Sequence, residues 1–457
     1  MLDLKLDEIN NVLGGTLYGT PEKTVLRVTT DSRDVETGDL FIALKGDKFD
    51  GHSFVKGLPH DVAGAVVEYR IDTDIPLIVV PDALRALGTL ATYQRDICDL
   101  TYAVAITGSV GKTTTKELIA NVLSEKFKTH YTKGNFNNHI GLPLTLLGLE
   151  KSDDVLISEM GMSARGEIEY LTRIAKPNIA VITNIGVSHI EILGSREEIR
   201  NAKLEILCGM EKGSTVILNG DEPLLNDETA AELLRGFKVV RVGLGDDNDY
   251  YPLDIYKGSD FLSFNIMTRS GEDRLTIPAV GDHFVRNAMF AYAVGVECGV
   301  NRDDIKKGLS NYESEGLRQR IYKKGDITVI ADCYNASPES MSAALAVLGD
   351  RASRRVAVLG DMLELGEMTE KLHREVGEMV KNAGVDMLYT YGEAAKFIAA
   401  GAMDAGMKHG CCACFTSKSV LAHELQCDLS GGETVLFKAS RKMKLEDIIS
   451  LAGLSEE

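Results

Sequence analysis

Residues 102–115 read Tyr-Ala-Val-Ala-Ile-Thr-Gly-Ser-Val-Gly-Lys-Thr-Thr-Thr, and this stretch decides the fold. Its first part, Tyr102–Thr107, is an apolar run typical of a buried strand, and a helical pattern follows at Lys116–Lys126. A glycine-rich turn between a strand and a helix is a place where backbone N–H groups and the helix N-terminus bind phosphate. The stretch therefore predicts a phosphate-binding loop within an α/β sheet.

The loop has the short form Thr-Gly-x-x-Gly-Lys-Thr, because Ile106 stands where the strict pattern requires glycine. In such loops the lysine reaches the β- and γ-phosphates and the next hydroxyl ligates Mg²⁺, which gives these roles to Lys112 and Thr113. The alternative is a glycine-rich turn with a merely solvated lysine. No Asn-Lys-x-Asp motif follows, which disfavours a GTPase. The predicted nucleotide contacts are Thr107, Gly108, Ser109, Val110, Gly111, Lys112, Thr113 and Thr114.

Outward from this loop, apolar strands alternate with amphipathic helices, which predicts α/β units with mostly parallel, doubly wound sheets. An antiparallel addition is expected around Ile255–Ile277. The last third repeats the alternation and resembles a Rossmann layout, but it lacks the Gly-x-Gly-x-x-Gly fingerprint of dinucleotide sites. We predict three domains: a small α+β unit at 1–98, a central P-loop ATPase unit at 99–313 and a C-terminal Rossmann-like α/β unit at 314–457.

Composition narrows the class of protein. The 457 residues carry a net charge of −18, with 44% hydrophobic and 26% charged residues, which is enough to fill ordinary cores. No run approaches the roughly 18 apolar residues of a membrane span, and the first ten residues lack a secretory pattern. We therefore expect a cytoplasmic protein with no membrane span. The acidic balance also argues against non-specific nucleic-acid binding.

The eight cysteines are too few for a disulfide scaffold, so reduced thiols are expected. Their one cluster is Cys411, Cys412 and Cys414, next to His409. Cys411 and Cys414 form a single Cys-x-x-Cys spacing, but no second pair of ligands follows downstream, and a buried strand is expected at Phe415. Core packing is therefore preferred to metal binding for this cluster.

Three further residues are candidates for metal and charge chemistry. Glu159 ends an apolar strand, and His189 follows the next strand, at the end where open α/β sheets bind ligands. A structural histidine is the alternative for His189. Residues 195–198 predict a capping box, and from that start Lys203 falls on the apolar stripe of its helix. Lys203 is either a lysine whose ammonium reaches solvent, or a desolvated amine open to carbamylation by CO₂.

The whole set of motifs resembles the Mur ligase family, ATP-dependent amide-forming enzymes of peptidoglycan synthesis, over nearly the full chain. Within that family it is most similar to the branch that joins D-alanyl-D-alanine to UDP-N-acetylmuramoyl-tripeptide. The Asp-Asn-Pro-Arg motif of the branch that adds the third residue is missing. The segments that carry the resemblance are 31–41, 50–52, 135–143, 159–162, 332–338 and 359–366.

The resemblance implies roles that the residues alone do not. The cofactors would be ATP, Mg²⁺ and a carbamylated Lys203, and the metal ligands would be Thr113, Glu159, His189 and Lys203. Lys112, Lys203, His189 and Glu159 would form the catalytic set. The remaining nucleotide contacts would be Asn287, Arg318, Asp332 and Tyr334. The substrate contacts would be Ser32, Arg33, Asp50, Gly51, His52, Asn137, Asn138 and Asn335.

Three alternatives stay open at this point. Two are sister enzymes, the ligase that adds the third residue and folylpolyglutamate synthetase. The segment 31–41 argues against the second, because it precedes the ATPase unit and matches a UDP-sugar module. The third is a nucleotide-binding regulator without chemistry. We expect a monomer.

Overall fold

The computed structural model describes residues 4–46, 49–269, 271–314 and 318–456. Five sheets organise these residues into an N-terminal unit, a central unit and a C-terminal unit. The three-unit α/β architecture expected from the sequence is confirmed. The boundaries after residues 98 and 313 remain our proposal.

The N-terminal unit has a five-stranded sheet in the order β2-β7-β6-β5-β4, and β1 pairs with β3 beside it. A 3₁₀ helix covers Gly51–Gly57. The elements are β1 (Leu4–Lys5), α1 (Leu6–Leu13), β2 (Thr16–Tyr18), β3 (Thr24–Val25), β4 (Arg27–Thr29), β5 (Asp39–Ile42), β6 (Gly64–Val67), β7 (Leu77–Val79) and α2 (Ala83–Ile97).

The central unit has a six-stranded sheet in which every pairing is parallel, in the order β13-β12-β11-β8-β10-β9. Its elements are β8 (Tyr102–Thr107), α3 (Lys112–Ser124), β9 (Thr129–Tyr131), α4 (Gly141–Leu147), β10 (Val155–Glu159), α5 (Glu167–Ala175), β11 (Ile179–Ile182), α6 (Ile190–Leu193), α7 (Arg196–Leu204), β12 (Thr215–Asn219), α8 (Glu228–Leu233) and β13 (Lys238–Val242).

An antiparallel sheet and two helices complete the central unit. The sheet has three strands in the order β14-β15-β16, which confirms the expected antiparallel addition. The elements are β14 (Tyr251–Lys257), β15 (Leu262–Thr268), β16 (Gly271–Ile277), α9 (His283–Glu297) and α10 (Arg302–Ser310).

The C-terminal unit has a second six-stranded sheet, in the order β17-β18-β22-β19-β20-β21, parallel except for the β17–β18 pair. Its elements are β17 (Arg320–Lys324), β18 (Ile327–Asp332), α11 (Pro338–Gly349), β19 (Arg355–Gly360), α12 (Thr369–Asn382), β20 (Met387–Tyr391), α13 (Lys396–Asp404), β21 (Cys412–Phe415), α14 (Lys418–Asp428), β22 (Thr434–Lys438) and α15 (Glu446–Leu451).

The central strands follow from their sequence. β10 and β11 are buried at every position, because a parallel sheet covered by helices on both faces leaves no solvent side. After β8, the chain adds β9 and β10 on one side of that strand and then β11 on the other side. This change of direction makes the carboxyl end of β8 a topological switch point. Ligands in open α/β sheets bind at such a point, so the fold places the predicted phosphate loop where a ligand site is expected.

The N-terminal and central units share one apolar core. Helix α2 contributes Leu87 and Leu90 to a buried cluster that also contains Leu146 of α4 and Leu171 of α5. Beside it, the Gln94 side chain donates a hydrogen bond of 2.7 Å to the Leu149 carbonyl. The two units are therefore packed against each other and not merely tethered.

Several predicted boundaries are wrong for identifiable reasons. α3 begins at Lys112 and not at Lys116, because the residues after the glycine turn form the first helical turn themselves. The continuous apolar run that indicates α9 starts at Ala288, but the helix itself begins five residues earlier, at His283. Ser195 caps α7 through a hydrogen bond from the Glu198 N–H, as expected.

The strand at Phe415 is also not the buried strand that the sequence predicts. β21 lies at the edge of its sheet, where Cys412 is half-buried and Cys414 is exposed. An edge position leaves one side of a strand open to solvent, which explains the difference. Among the described residues, no helix is long and apolar enough to span a membrane.

Candidate active site

The phosphate loop, which follows β8, contains two glycines in backbone conformations that residues with a side chain rarely adopt. Gly108 has φ 151° and Gly111 has φ 81°. A Cβ atom on Gly108 would lie 1.9 Å from Thr183 Oγ1, so a side chain there would clash. α3 then starts at Lys112, which places its N-terminus at the loop. The geometry is that of a phosphate-binding loop at a helix N-terminus, as predicted.

Lys112 folds back over this loop. Its Nζ donates a hydrogen bond of 2.7 Å to the Gly108 carbonyl. Burial lowers the pKa of Lys112; the Glu159 carboxylate opposes this shift, and the Arg318 guanidinium adds to it. A lysine in this position carries its charge into a site with little water, where it acts strongly on a phosphate.

Thr113 and Glu159 form the second part of the site. Glu159 ends β10 and is buried, and its Oε2 accepts a hydrogen bond of 2.8 Å from Thr113 Oγ1. Its Oε1 accepts a hydrogen bond of 2.9 Å from the Asn137 amide. Hydroxyl and carboxylate oxygens are the ligands that Mg²⁺ prefers, and a P-loop site completes its shell with phosphate and water. These residues therefore fit that ion.

The segment 184–189, which follows β11, connects the phosphate loop with the C-terminal unit. Asn184 Oδ1 accepts hydrogen bonds from the Ser109 and Val110 N–H groups, at 2.9 and 3.0 Å. Three residues later, the Val187 N–H donates a hydrogen bond of 2.9 Å to Glu339 Oε1 on α11. Sequence reasoning missed Asn184 and Glu339, although the position of Asn184 just past a strand end was a usable signal.

His189 ends this segment in the left-handed region, with φ 64°. Its Nδ1 lies 2.7 Å from Glu364 Oε2 of the C-terminal unit. Burial lowers the pKa of His189, and the Glu364 carboxylate opposes that shift. The predicted metal ligands Glu159 and His189 both reach the cavity, but within the described ranges no three His, Cys, Asp or Glu side chains converge on a metal position.

Lys203 lies on α7, only 2% exposed. Burial lowers the pKa of Lys203 well below its ordinary value, and the nearby Lys112 charge lowers it further. Its ammonium forms no ion pair with any acidic residue in the part of the chain that the structure describes. The structure thus contradicts the interpretation of an ammonium that reaches solvent, and it supports that of a desolvated amine.

Residues of the C-terminal unit form the opposite wall. Asp332 ends β18 and Lys438 ends the neighbouring β22; their side chains pair at 2.6 Å. The Arg318 guanidinium stacks 3.7 Å above the ring of Tyr334. Lys438 was missed by sequence reasoning, because a lysine at the end of an apolar strand gives no separate signal.

These groups line one cavity of about 800 Å³ between the carboxyl ends of the two parallel sheets. It brings together most of the predicted residues: Ser109, Val110, Gly111, Lys112, Thr113, Thr114, Asn137, Asn138, Glu159, His189, Asn287, Arg318, Asp332, Tyr334 and Asn335. Thr107, Gly108 and Lys203 do not line this cavity. The charge of Lys112 nevertheless acts on Lys203.

The predicted contacts of the N-terminal unit do not reach this cavity. Arg33 is exposed and pairs with Asp31, at 2.7 Å, beside Ser32. His52 is buried: its Nδ1 lies 2.6 Å from Asp50 Oδ1, and its Nε2 accepts a hydrogen bond from the Glu68 N–H. Because both ring nitrogens are used, His52 holds the turn at Gly51 in place and its ring offers no free nitrogen to a ligand.

A pH-dependent effect on stability arises at His283, which lines the cavity. Burial lowers the pKa of His283 from 6.5 to about 4. The unfolded chain therefore binds this proton at a higher pH than the folded chain does, and the free energy of unfolding should fall as the pH drops from 6.5 to 4. We expect urea unfolding to show a steeper loss in the wild type than in His283→Gln over that range. The exposed His409→Gln is the control; equal slopes for the wild type and His283→Gln would contradict the assignment.

Taken together, the site is that of a P-loop enzyme whose nucleotide loop faces a separate α/β unit across a cavity. Family models match the three units in turn: the Mur ligase family catalytic domain at 24–94, the Mur ligase middle domain at 106–295 and the Mur ligase glutamate ligase domain at 318–441. The chain belongs to the Mur ligase family.

Individual relatives are similar along their whole length. The UDP-N-acetylmuramoyl-tripeptide–D-alanyl-D-alanine ligase of Bacillus subtilis (strain 168) is 41% identical over 459 aligned residues, which cover 98% of each chain. A crystal structure of MurF from Acinetobacter baumannii has a TM-score of 0.90 and 30% identity, with 99% of each chain covered. The MurF ligase of Thermotoga maritima in complex with ADP has a TM-score of 0.83 and 28% identity, covering 93% of this chain and 96% of that one.

Proposed function

We propose that this chain is an ATP-dependent ligase that joins D-alanyl-D-alanine to UDP-N-acetylmuramoyl-tripeptide, which makes the pentapeptide precursor of peptidoglycan. The observation that carries the proposal is the phosphate loop with its Thr113–Glu159 pair at a cavity between two facing α/β units. The similarity to a full-length ligase of that name supports the choice of substrates.

The chemistry follows from the need to activate a carboxylate. The γ-phosphoryl group of ATP passes to the terminal carboxylate of the tripeptide, which gives an acyl phosphate and ADP. The neutral amine of the dipeptide then attacks the acyl carbon; the C–N bond forms, the bond to the phosphate oxygen breaks, and phosphate leaves with the proton that the nitrogen loses. Catalysis of phosphoryl transfer consists mainly of positioning and charge stabilisation.

Different residues of the cavity would bind the phosphates, the metal ion and the rest of the nucleotide. The N–H groups of the phosphate loop and Lys112 hold the β- and γ-phosphates, while Thr113, Glu159 and His189 would hold Mg²⁺. When bound, Mg²⁺ neutralises phosphate charge during transfer. Asn287, whose amide lies against Gly111, and Arg318 would hold the rest of the nucleotide, with Asp332 and Tyr334 beside them.

The outer assignments are also part of the proposal. The unit at 1–98 would bind the UDP-sugar through Ser32, Arg33 and the turn at Asp50 and Gly51, and Asn137 and Asn138 would contact the tripeptide side. The unit at 314–457 would bind the dipeptide near Asn335. The eight free cysteines of the whole chain agree with a reducing cytoplasm. We propose that the protein acts as a monomer.

We propose in addition that Lys203 is carbamylated. A lowered pKa increases the share of neutral amine at Lys203, and a neutral amine is the form that reacts with CO₂. The product is a carboxylate that would orient a metal ion together with His189. It would also place a negative charge near the Lys112 ammonium.

An acceptor panel tests the main proposal. Phosphate release is measured with ATP, UDP-N-acetylmuramoyl-tripeptide and a series of single amino acids and dipeptides. We expect release that depends on D-alanyl-D-alanine. Release with a diamino acid on a UDP-muramoyl-dipeptide would indicate the sister ligase, and release with glutamate on a folate would indicate the folate enzyme. No release with any acceptor would favour a regulator.

A further inference from the structure

The turn after β19 holds a strained residue at the mouth of the cavity. Glu364 has φ 65°, a left-handed conformation that residues with a side chain rarely adopt. Strain of this kind persists only where the surroundings impose it. The side chain of Glu364 is half exposed and lines the cavity.

Three successive residues, 361–363, form the hydrogen bonds that hold this turn. The Asp361 carboxylate accepts hydrogen bonds from the Ala394 and Ala395 N–H groups. The Met362 N–H donates to the ring of the buried His373 at 3.1 Å. The Leu363 N–H donates to Ser440 Oγ at 2.9 Å. The turn is thus held from three sides, and what it presents to the cavity is the carboxylate of Glu364.

Two other carboxylates of the C-terminal unit line the cavity, and both are less exposed than Glu364. Asp332 is paired with the buried Lys438 at 2.6 Å. Glu339 Oε1 accepts the Val187 N–H, and its Oε2 is buried away from solvent. For Glu364, no lysine or arginine in the described ranges comes within ion-pair distance, and its polar neighbour is the ring of His189. Glu364 is therefore the carboxylate of this wall that is exposed to a cation from solution.

We propose that Glu364 binds the ammonium group of the incoming dipeptide and so places its nitrogen at the reacting centre, where the nitrogen loses a proton to water and attacks as the neutral amine. This inference rests on the proposed function, in which the amine must arrive from the C-terminal unit beside the γ-phosphate. Glu364 satisfies both conditions: it belongs to that unit, and its carboxylate lies 2.7 Å from His189, which reaches the phosphate side of the cavity. A charged hydrogen bond in a partly dry cavity is worth about 10- to 100-fold in affinity.

The test compares Glu364→Gln with the wild type by steady-state kinetics. The substitution keeps the shape and removes the charge. We expect the KM for D-alanyl-D-alanine to rise by about 10- to 100-fold, while the KM values for ATP and tripeptide stay within about twofold. Glu367→Gln, an exposed glutamate three residues further on, is the matched control and should match the wild type.

A second measurement reports on the ammonium itself. D-lactoyl-D-alanine is an analogue in which a hydroxyl group replaces the amine, so it keeps the carboxylate but has no ammonium group, and it would compete with the dipeptide. We expect its inhibition constant not to rise in Glu364→Gln, because it has no ammonium group for the Glu364 carboxylate to bind. Glu364→Asp, which keeps the charge, should recover part of the lost dipeptide affinity; it also serves if Glu364→Gln does not fold.

The outcomes separate the inference from the function on which it rests. An unchanged dipeptide KM in an active Glu364→Gln would overturn the inference and leave the function intact. A rise in the Mg²⁺ concentration needed for half-maximal rate, without a change in the dipeptide KM, would overturn it in favour of a metal contact. Equal weakening of D-lactoyl-D-alanine and the dipeptide would show a loss of shape and not of the contact with the ammonium group, and would also overturn it. Wild-type protein that releases no phosphate with D-alanyl-D-alanine would instead reject the proposed function.

Discussion

Lys112→Ala is expected to abolish ATP-dependent ligation while the fold remains intact. Removing a single group that stabilises developing charge commonly costs about 100- to 1,000-fold in rate. Lys112 would stabilise the charge of the phosphoryl group both on ATP and during its transfer to the tripeptide. The cost to stability should be small. The ammonium is buried with a lowered pKa, so the folded state already disfavours its charge.

The measurement is phosphate release at saturating substrates, together with thermal unfolding. We expect a rate near background and a Tm within a few degrees of the wild type. Lys151→Ala, at an exposed lysine outside the cavity, is the matched control and should keep full activity. An active Lys112→Ala would remove the basis for the phosphate loop as the site of ATP.

Lys203→Ala is expected to be nearly inactive and to regain part of its activity with added short-chain carboxylates. Alanine leaves a space next to the Lys112 charge in a buried region, and acetate or propionate would supply there the carboxylate that the carbamate otherwise provides. The expected result is a rate that rises with the concentration of carboxylate and saturates.

Two further observations make this prediction specific. Lys212→Ala, at a lysine outside the cavity, should be fully active and should not respond to carboxylates. Labelled bicarbonate should give a carbamate signal in the NMR spectrum of the wild type and none in Lys203→Ala. Full activity of Lys203→Ala without additives would contradict the carbamate proposal.

Local sequence predicted the parts of the site that lie within one strand, turn or helix. The phosphate loop, Thr113 and Glu159 were found because each follows directly from a strand and its next residues. The buried state of Lys203 followed from its place on the apolar stripe of α7. In these cases the geometry depends on neighbours within a few positions, which a single sequence contains.

The missed residues depend on distant parts of the chain. Lys438 matters because β22 lies next to β18, more than one hundred residues away in sequence. Glu364 and Glu339 matter because the C-terminal unit faces the segment 184–189. The position of His52 in its 3₁₀ helix depends on the N–H of Glu68, which directly follows β6. Sheet order and the packing of units set these contacts, and neither is encoded in local patterns.

The six-stranded sheets of the central and C-terminal units direct the carboxyl ends of their parallel strands toward one shared cavity. The amino ends of those strands lie on the opposite side of each sheet, away from the cavity. The turn at Gly431 and Gly432 leads into the amino end of β22, is exposed, and lies on that opposite side. Insertions are tolerated best at exposed turns of this kind. Fluorescent labels or affinity sequences placed there would mark the C-terminal unit without entering the cavity.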